Sequence, residues 1–257
     1  MWLKGGERAD GPFPYPAVSQ YLEDTLSKPL TVGILVGPDY ALCDIVGPQT
    51  VLGIQPDSEI HLLWKNRETV NGLPTFPTVP TTSFADCPAE LDVLAVGAIS
   101  PEVVADPEVV EFFKDAASRA KHVIAVCGGV MLAGAAGLLA GRRATTNFHI
   151  LDLLGEFGAT PVGGGEVVRD GNLWTAGPAT GSYEAALLVL AELRGEEAAR
   201  RAELDIEYAP HPPFGTGSPA LAGPEMTKNS TERLFAMLDL GDGPSVIDQF
   251  RAAKATG

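Results

Sequence analysis

Four short apolar runs recur through the first half of the chain and determine its predicted architecture. They lie at residues 30–36, 60–64, 93–96 and 122–126. Continuous apolar runs of this length are typical of parallel strands that are buried on both faces. Between the last two runs, apolar residues recur at helical spacing and predict a helix at 107–121. Strands that alternate with helices in this way predict an α/β fold, with a doubly wound, mostly parallel sheet sandwiched by helices.

The second half of the chain predicts an edge hairpin, a long helix and a loop. Residues 166–169 and 173–175 flank an Asp-Gly-Asn turn, which is typical of an antiparallel hairpin. Residues 182–204 are rich in alanine and leucine and predict one continuous helix. Residues 209–224 are rich in proline and glycine, and we expect this loop to cover a site or to lie across a partner subunit. In this interpretation residues 1–28 form an N-terminal arm, 29–225 form the α/β domain, and 226–257 form a weakly helical tail.

The composition indicates a large core and argues against several classes of partner. Of 257 residues 45% are hydrophobic, and 33 acidic against 18 basic residues give a net charge of −15. That charge opposes binding to nucleic acid or to anionic lipid surfaces. No apolar run reaches the roughly 20 residues that a bilayer requires, and residues 1–15 lack the apolar stretch of a signal peptide. We therefore expect a soluble, cytoplasmic protein.

The three cysteines, Cys43, Cys87 and Cys127, show no C-x-x-C spacing, so neither disulfides nor a zinc site is predicted. Cys127 is the strongest candidate for a reactive thiol. It ends an apolar strand and is followed by two glycines and a helix of small residues, with Gly141 as the expected C-cap. This order is typical of the turn that presents a nucleophile at the carboxyl edge of a sheet. The helix dipole is expected to shift the thiol toward the thiolate; the alternative is a buried, inert cysteine.

Asp44 is the candidate partner of this thiol. It follows the loop after the first predicted strand, at the edge of the sheet where ligands bind in such folds. A carboxyl group that shares a proton with a thiol would supply a nucleophile and an acid/base without a metal or cofactor. The alternative is that Asp44 caps the apolar helix that follows it.

Several segments resemble one enzyme family, in order along the chain. They include Asp-Ile-Val-Gly-Pro at 44–48 and the stretches at 60–65, 81–88, 135–146, 167–173 and 207–214. The chain is similar in these segments to the ThiJ/PfpI superfamily, which has the class I glutamine amidotransferase-like, flavodoxin-like fold, and most closely to its isonitrile hydratases. The resemblance implies a homodimer in which the Cys127 thiolate attacks the terminal carbon of an isonitrile. It also implies that Asp44 is the acid/base that helps water release an N-substituted formamide, with no cofactor and no metal.

The chain departs from the family at three places around the expected site. Gly128 replaces a threonine after the nucleophile, residues 97–99 replace a Pro-Gly-Gly segment, and Asn147 and Phe148 replace a His-Trp pair. These changes predict an altered pocket. A related enzyme that acts on another small electrophile, such as a natural-product intermediate, is therefore the first alternative. A redox-sensing or ligand-binding module is the second, because an exposed thiol of low pKa oxidises readily.

The pocket itself is expected to involve backbone groups and a few polar side chains. The candidate substrate-binding residues are Gly97, Ala98, Gly128, Thr180 and His211. The other histidines, His61, His122 and His149, are scattered, and none follows Cys127 as in the superfamily's peptidases. Cys43 is expected to be a packing residue, with a second thiol near the site as the alternative, and Cys87 is expected to be a loop or core residue.

Overall fold

The computed structural model describes residues 29–177, 179–238, 248 and 251. Within this part of the chain, seven strands form the main sheet and two smaller pairs lie outside it. The expected N-terminal arm at 1–28 and most of the chain after 238 lie outside the described residues. The strands are β1 (Thr31–Leu35), β2 (Glu59–Trp64), β3 (Val70–Gly72), β4 (Phe76–Thr78), β5 (Thr82–Ser83), β6 (Leu91–Val96), β7 (Ala120–Val126), β8 (Arg143–Ala144), β9 (Thr160–Pro161), β10 (Val168–Asp170) and β11 (Leu173–Ala176).

The main sheet has the order β10-β11-β7-β6-β1-β2-β5. Its strand pairs are parallel except β10 with β11, which form the antiparallel hairpin predicted at the edge. All four apolar runs of the first half became strands of this sheet, and β1, β6 and β7 are almost wholly buried. The predicted fold class is therefore confirmed.

Helices cover both faces of the sheet. The α-helices are α1 (Leu42–Gly53), α2 (Pro101–Val104), α3 (Pro107–Arg119), α4 (Gly129–Ala135), α5 (Ala179–Arg194), α6 (Glu196–Asp205), α7 (Pro219–Ala222) and α8 (Pro224–Leu238). Helix α1 packs against α5 and against β1, β2 and β6, whereas α3 packs against β6, β7 and α4. Because right-handed crossovers run to opposite sides of β1, they place α1 and α3 on opposite faces.

The strand order reverses between β1 and β6, since β2 extends the sheet on one side of β1 and β6 on the other. In open α/β sheets, ligands bind outside the carboxyl ends of the strands at such a switch point. The segments that leave β1, β6 and β7 begin α1, the loop at 97–100 and the turn at 127–128. The topology therefore brings these three segments to one edge of the sheet.

Two helix predictions were wrong, each because a glycine adopts a positive φ. The expected helix at 182–204 is two helices, α5 and α6, separated by Gly195 with φ of 88°. The helix after Cys127 ends at Ala135 rather than at Gly141. Gly137, with φ of 76°, terminates it, because Leu138 N–H donates to Ala133 O and Gly137 N–H donates to Gly134 O in a Schellman arrangement.

The contact between α1 and α5 depends on Gly47. A Cβ atom at this position would overlap the backbone of Ser182 on α5. We expect Gly47→Ala to lower the free energy of unfolding by about 1–3 kcal/mol, as overpacking in a close helix contact does. Gly53→Ala on the same helix is the matched control, because the nearest atom to its Cβ would be 3.5 Å away on Ile60. It should be neutral or stabilising. Urea unfolding of both variants measures the difference, and equal stability would contradict the packing argument.

In the described part of the chain, no helix is long and apolar enough to cross a membrane.

Candidate functional site

Cys127 follows β7 and lies in the left-handed backbone region, with φ of 55°. This conformation is uncommon for a residue other than glycine and costs of order 1–3 kcal/mol, so the surrounding structure must hold it. The Cys127 N–H donates to Ala176 O at 2.9 Å, and Thr146 Oγ1 donates to Cys127 O at 2.6 Å. Cys127 is partly exposed. The predicted sharp turn after the strand is present, and the residue with the strained backbone is the cysteine itself.

The two glycines after Cys127 were expected to permit the sharp strand-to-helix turn. Instead, they allow this segment to pack closely against the loop after β6. Gly128 has an ordinary helical φ of −62°. A Cβ atom on Gly129 would lie 2.6 Å from the Gly97 carbonyl oxygen, and one on Gly128 would lie 3.1 Å from Ala98 Cβ. The turn after β7 thus lies directly against the loop after β6. The Gly128 N–H donates to the Cys127 sulfur.

Asp44 lies in the first turn of α1, with only 2% of its surface exposed. Its carboxyl group does not cap that helix; instead Oδ2 accepts the Ala98 N–H at 2.9 Å. The carboxyl group also lies close enough to the Cys127 thiol for each group to shift the pKa of the other. Burial raises the pKa of Asp44, although the hydrogen bond from Ala98 and the nearby Cys127 thiol oppose the shift. Asp44 and Cys127, predicted from separate motifs, therefore meet at the switch point.

The pKa of Cys127 is raised to about 12, so the expected shift toward the thiolate was wrong. Burial is the largest cause, and the negative charge of Asp44 is the next. Hydrogen bonds from the Gly128 N–H and Asn147 favour the thiolate but do not overcome these two effects. A helix dipole is weaker than a buried carboxylate in direct contact with the sulfur. Whenever the Asp44 carboxyl group is ionised below this pKa, the Cys127 sulfur therefore keeps its proton.

Asn147 and Cys43 also lie at this pair, although the sequence did not favour either as a site residue. Asn147 Nδ2 is 3.3 Å from the Cys127 sulfur. Cys43 was expected to be a packing residue, but it is exposed, and its sulfur lies 3.7 Å from Asp44 Oδ1. The only signals in the sequence were that Asn147 departs from the family pattern and that Cys43 precedes Asp44.

The structure separates the five candidate substrate-binding residues into two groups. Gly97, Ala98 and Gly128 lie at the pair; a Cβ atom on Gly97 would be 2.5 Å from Asp44 Cβ. Thr180 and His211 are exposed, and no hydrogen bond in the described part of the chain joins either side chain to Cys127 or Asp44. The Thr180 carbonyl accepts the Tyr208 hydroxyl at 3.3 Å, which fixes the start of the loop that carries His211.

The remaining candidate residues lie elsewhere. His122 Nδ1 accepts the Trp174 indole N–H at 3.2 Å, His61 Nδ1 lies 2.9 Å from Thr82 Oγ1, and Cys87 packs against the core. Within the described residues, His, Cys, Asp and Glu side chains form no cluster that could hold a metal ion. A cleft of about 470 Å³ is lined by Thr31, Leu91, Asp92, Lys121 and neighbours. It lies at the amino ends of β1, β6 and β7, and therefore at the opposite edge of the sheet from Cys127, which follows the carboxyl end of β7.

The sequence profile of the DJ-1/PfpI family matches residues 31–192, which span the main sheet and the Asp44–Cys127 pair. The chain belongs to the DJ-1/PfpI family. This confirms the ThiJ/PfpI resemblance.

Relatives within the DJ-1/PfpI family support the assignment over most of the chain. The isonitrile hydratase of Pseudomonas putida is 40% identical over 213 residues, which cover 82% of this chain and 92% of that protein. A ThiJ/PfpI family protein from Pseudomonas syringae has a crystal structure that superposes with a TM-score of 0.79 at 31% identity. The match covers 96% of this chain and 97% of that one. Drosophila melanogaster DJ-1beta, at 20% identity and a TM-score of 0.63, shares the fold over 71% of this chain and all of its own.

Proposed function

We propose that this DJ-1/PfpI protein hydrates an isonitrile to an N-substituted formamide, with Cys127 as nucleophile and Asp44 as acid/base. The observation that carries the proposal is the meeting of the partly exposed Cys127 thiol and the buried Asp44 carboxyl group at the switch point of the sheet. The similarity to the Pseudomonas putida isonitrile hydratase supports the substrate class.

The first half of the proposed reaction adds the Cys127 thiol to the substrate. The terminal carbon of an isonitrile accepts both a nucleophile and a proton. As sulfur attacks this carbon, the thiol proton passes to the Asp44 carboxylate and from there to the same carbon. The product is a thioimidate, R–N=CH–S–Cys127, and Asp44 is again ionised.

The second half uses the same carboxylate as a base. Asp44 takes a proton from water as the water oxygen attacks the thioimidate carbon, and the proton passes to the substrate nitrogen. The resulting adduct, R–NH–CH(OH)–S–Cys127, breaks its carbon–sulfur bond. Sulfur leaves with the proton of the hydroxyl group, which Asp44 transfers, and R–NH–CHO is released. The net reaction consumes one isonitrile and one water and restores the thiol–carboxylate pair.

Backbone groups around the pair are suited to hold the substrate. We propose that Gly97, Ala98 and Gly128 line the pocket, because Gly97 packs directly against Asp44, and Gly128, next to Cys127, packs against Ala98. Thr180 and His211 are proposed to contact the substrate as well; the hydrogen bond from the Tyr208 hydroxyl to the Thr180 carbonyl joins α5 to the start of the loop that carries His211. Gly128 offers no side-chain hydroxyl next to the nucleophile, which favours the second candidate: the same chemistry on a different small electrophile.

The redox-sensing alternative is less favoured by this geometry. Such a sensor needs a readily ionised thiol, whereas burial and Asp44 raise the pKa of Cys127 to about 12. A thiol that is ionised only when its proton moves to Asp44 suits addition chemistry better.

We also propose that the active form is a cytoplasmic homodimer. Phe214 and Leu221 are 87% and 67% exposed in the single chain, and Met226 is 53% exposed. A second copy of the chain would cover such apolar side chains. Sedimentation velocity should show a dimer at micromolar concentration, and a monomer would contradict this part of the proposal.

Turnover tests the proposed function directly. Purified protein is incubated with alkyl and aryl isonitriles, and the formamide C–H is followed by NMR. Formation of the N-substituted formamide at a rate proportional to enzyme concentration supports the proposal. Adducts on Cys127 with other electrophiles, without formamide from any isonitrile, would replace it with the second candidate.

The pH dependence of kcat/KM follows from the two raised pKa values. Asp44 must be ionised to accept the thiol proton, so activity should fall as the pH drops through its pKa, which burial places above the ordinary 3.8. At the alkaline end Cys127 loses its proton only near its pKa of about 12, so activity should be level from above the Asp44 pKa to about pH 10. A fall in activity between pH 8 and 9, about where a free thiol ionises, would contradict this assignment.

A further inference from the structure

A chain of hydrogen bonds connects the nucleophile to the C-terminal helix. Asn147 Nδ2 lies 3.3 Å from the Cys127 sulfur, and Asn147 Oδ1 lies 3.2 Å from His149 Nδ1. His149 Nε2 lies 3.3 Å from Ser230 Oγ on α8. Cys127, Asn147, His149 and Ser230, which come from three separate segments of the chain, thus form one continuous hydrogen-bond network that ends on the sulfur.

The backbone fixes the direction of each hydrogen bond. The His149 N–H can only donate, and it lies 3.1 Å from Asn147 Oδ1. That atom is therefore the amide oxygen, and the NH₂ group faces the sulfur. Because an amide oxygen only accepts, His149 Nδ1 carries a proton and donates it to Oδ1. Nε2 of the neutral ring then accepts the Ser230 hydroxyl. Burial lowers the pKa of His149, which agrees with a neutral ring.

This hydrogen-bond network holds the Asn147 side-chain amide in one orientation. Asn147 Oδ1 receives two donors from the same residue, the His149 backbone and ring. The ring itself stacks on Phe148, with centroids 3.8 Å apart, and so has little freedom to turn. A donor that is already oriented stabilises charge on sulfur without reorganising during the reaction.

We propose that Asn147 is a catalytic hydrogen-bond donor to the sulfur and that His149 and Ser230 are positioning residues that orient its amide. The proposal rests on the proposed function, in which sulfur carries negative charge as it attacks and again as it leaves. Asn147 supplies the side-chain donor that neutralises part of that charge, opposite the carboxyl group of Asp44.

The test is the rate at which iodoacetamide alkylates Cys127, which does not require isonitrile turnover. Site-specific mass spectrometry follows the Cys127 peptide, with Cys87 in the same protein as an internal control. Below the pKa, the alkylation rate follows the thiolate fraction. We expect Asn147→Ala to slow alkylation of Cys127 at pH 9 by about tenfold, the effect of losing a hydrogen bond to a charged group. Cys87 should react at an unchanged rate.

Two substitutions of His149 distinguish loss of its hydrogen bond to Asn147 from loss of the imidazole ring itself. His149→Asn retains an N–H near the place of Nδ1, whereas His149→Gln places its amide near Nε2 and loses the donor to Asn147. We expect His149→Gln to slow alkylation of Cys127 by about threefold and His149→Asn to restore most of the rate. Ser230→Ala should produce a smaller slowing than His149→Gln. Thr231→Ala is its matched control, because the Thr231 hydroxyl donates, among the residues that the structure describes, only to Thr227 O on its own helix, and this variant should have no effect.

The outcomes distinguish this proposal from the proposed function. If Asn147→Ala alkylates at the wild-type rate, or if His149→Asn is as slow as His149→Gln, the positioning proposal is wrong even when isonitrile turnover is present. If Cys127 is alkylated at the same rate in Ser230→Ala as in Thr231→Ala, Ser230 does not help to orient the Asn147 amide. If alkylation changes as expected but no isonitrile is hydrated, the positioning role of His149 and Ser230 is supported and the proposed substrate is wrong.

Discussion

Replacing Cys127 with alanine is expected to abolish isonitrile hydration, with kcat lowered by about 10⁴-fold or more. In the proposed mechanism the substrate carbon is bonded to this sulfur in both intermediates, so no other group can substitute for it. The variant should remain folded, because alanine at 127 leaves the backbone hydrogen bonds to Ala176 and Thr146 in place. Formamide production and circular dichroism measure the two properties.

Cys87→Ser is the control for a general effect of removing a thiol. Cys87 is half-buried and lies outside the Asp44–Cys127 pair. This variant should hydrate isonitriles within about twofold of the wild-type rate, since it leaves the mechanism intact. If Cys127→Ala retained measurable turnover above the uncatalysed rate, the covalent route would be wrong.

Replacing Asp44 with asparagine is expected to reduce kcat by about 10²- to 10⁴-fold, the usual contribution of a positioned acid/base. Asparagine can still accept the Ala98 N–H, so the geometry at α1 should persist. It cannot carry the proton between sulfur, carbon and water. Mass spectrometry should therefore find neither the rapid formation of the thioimidate on Cys127 nor its hydrolysis.

The same substitution is expected to stabilise the fold at neutral pH. Because burial raises the pKa of Asp44, the folded state holds its proton more tightly than the unfolded chain does. The free energy of unfolding therefore falls as the pH rises from the unfolded value through the raised folded value. Asparagine removes this cost, so Tm at pH 7 should rise by a few degrees, with little gain near pH 3. A lower Tm at pH 7 would contradict the account.

Asp106→Asn is a control that should change Tm at pH 7 in the opposite direction. Although desolvation opposes the shift, hydrogen bonds and charge from Lys65 lower the pKa of Asp106 overall. An ionised Asp106 therefore stabilises the fold above its unfolded pKa, and that contribution disappears at low pH. Its exposure limits the effect, so asparagine here should lower Tm slightly at pH 7 and leave activity unchanged.

Most of the fold was predictable from the four apolar runs of the first half of the chain. Buried parallel strands need continuous apolar runs, and each of the four runs is a strand of the main sheet. The turn at Cys127 and the hairpin around Gly171 were also predictable, because local steric constraints determine such turns. Helix lengths were less predictable. Gly195 and Gly137 end helices where alanine-rich sequence alone indicated that they continue.

The candidate site was predicted only in its two principal residues. Cys127 and Asp44 each had a local signal and a family counterpart, and topology then brought them together. Asn147 and His149 had no such signal, since an asparagine after a short strand is compatible with many loops. The pKa of the Cys127 thiol was predicted to shift in the wrong direction. The helix dipole can be inferred from sequence, whereas the burial of the pair cannot.

The sequence alone determined which segments become strands, where the chain turns sharply and which thiol stands at such a turn. These properties follow from each residue's own steric preferences and from its nearest neighbours in the chain. Only the tertiary structure decided what surrounds that thiol. A pKa and a hydrogen-bond partner depend on groups within a few ångströms in space, and here those groups come from α1, the loop after β6, the turn at 145–150 and α8.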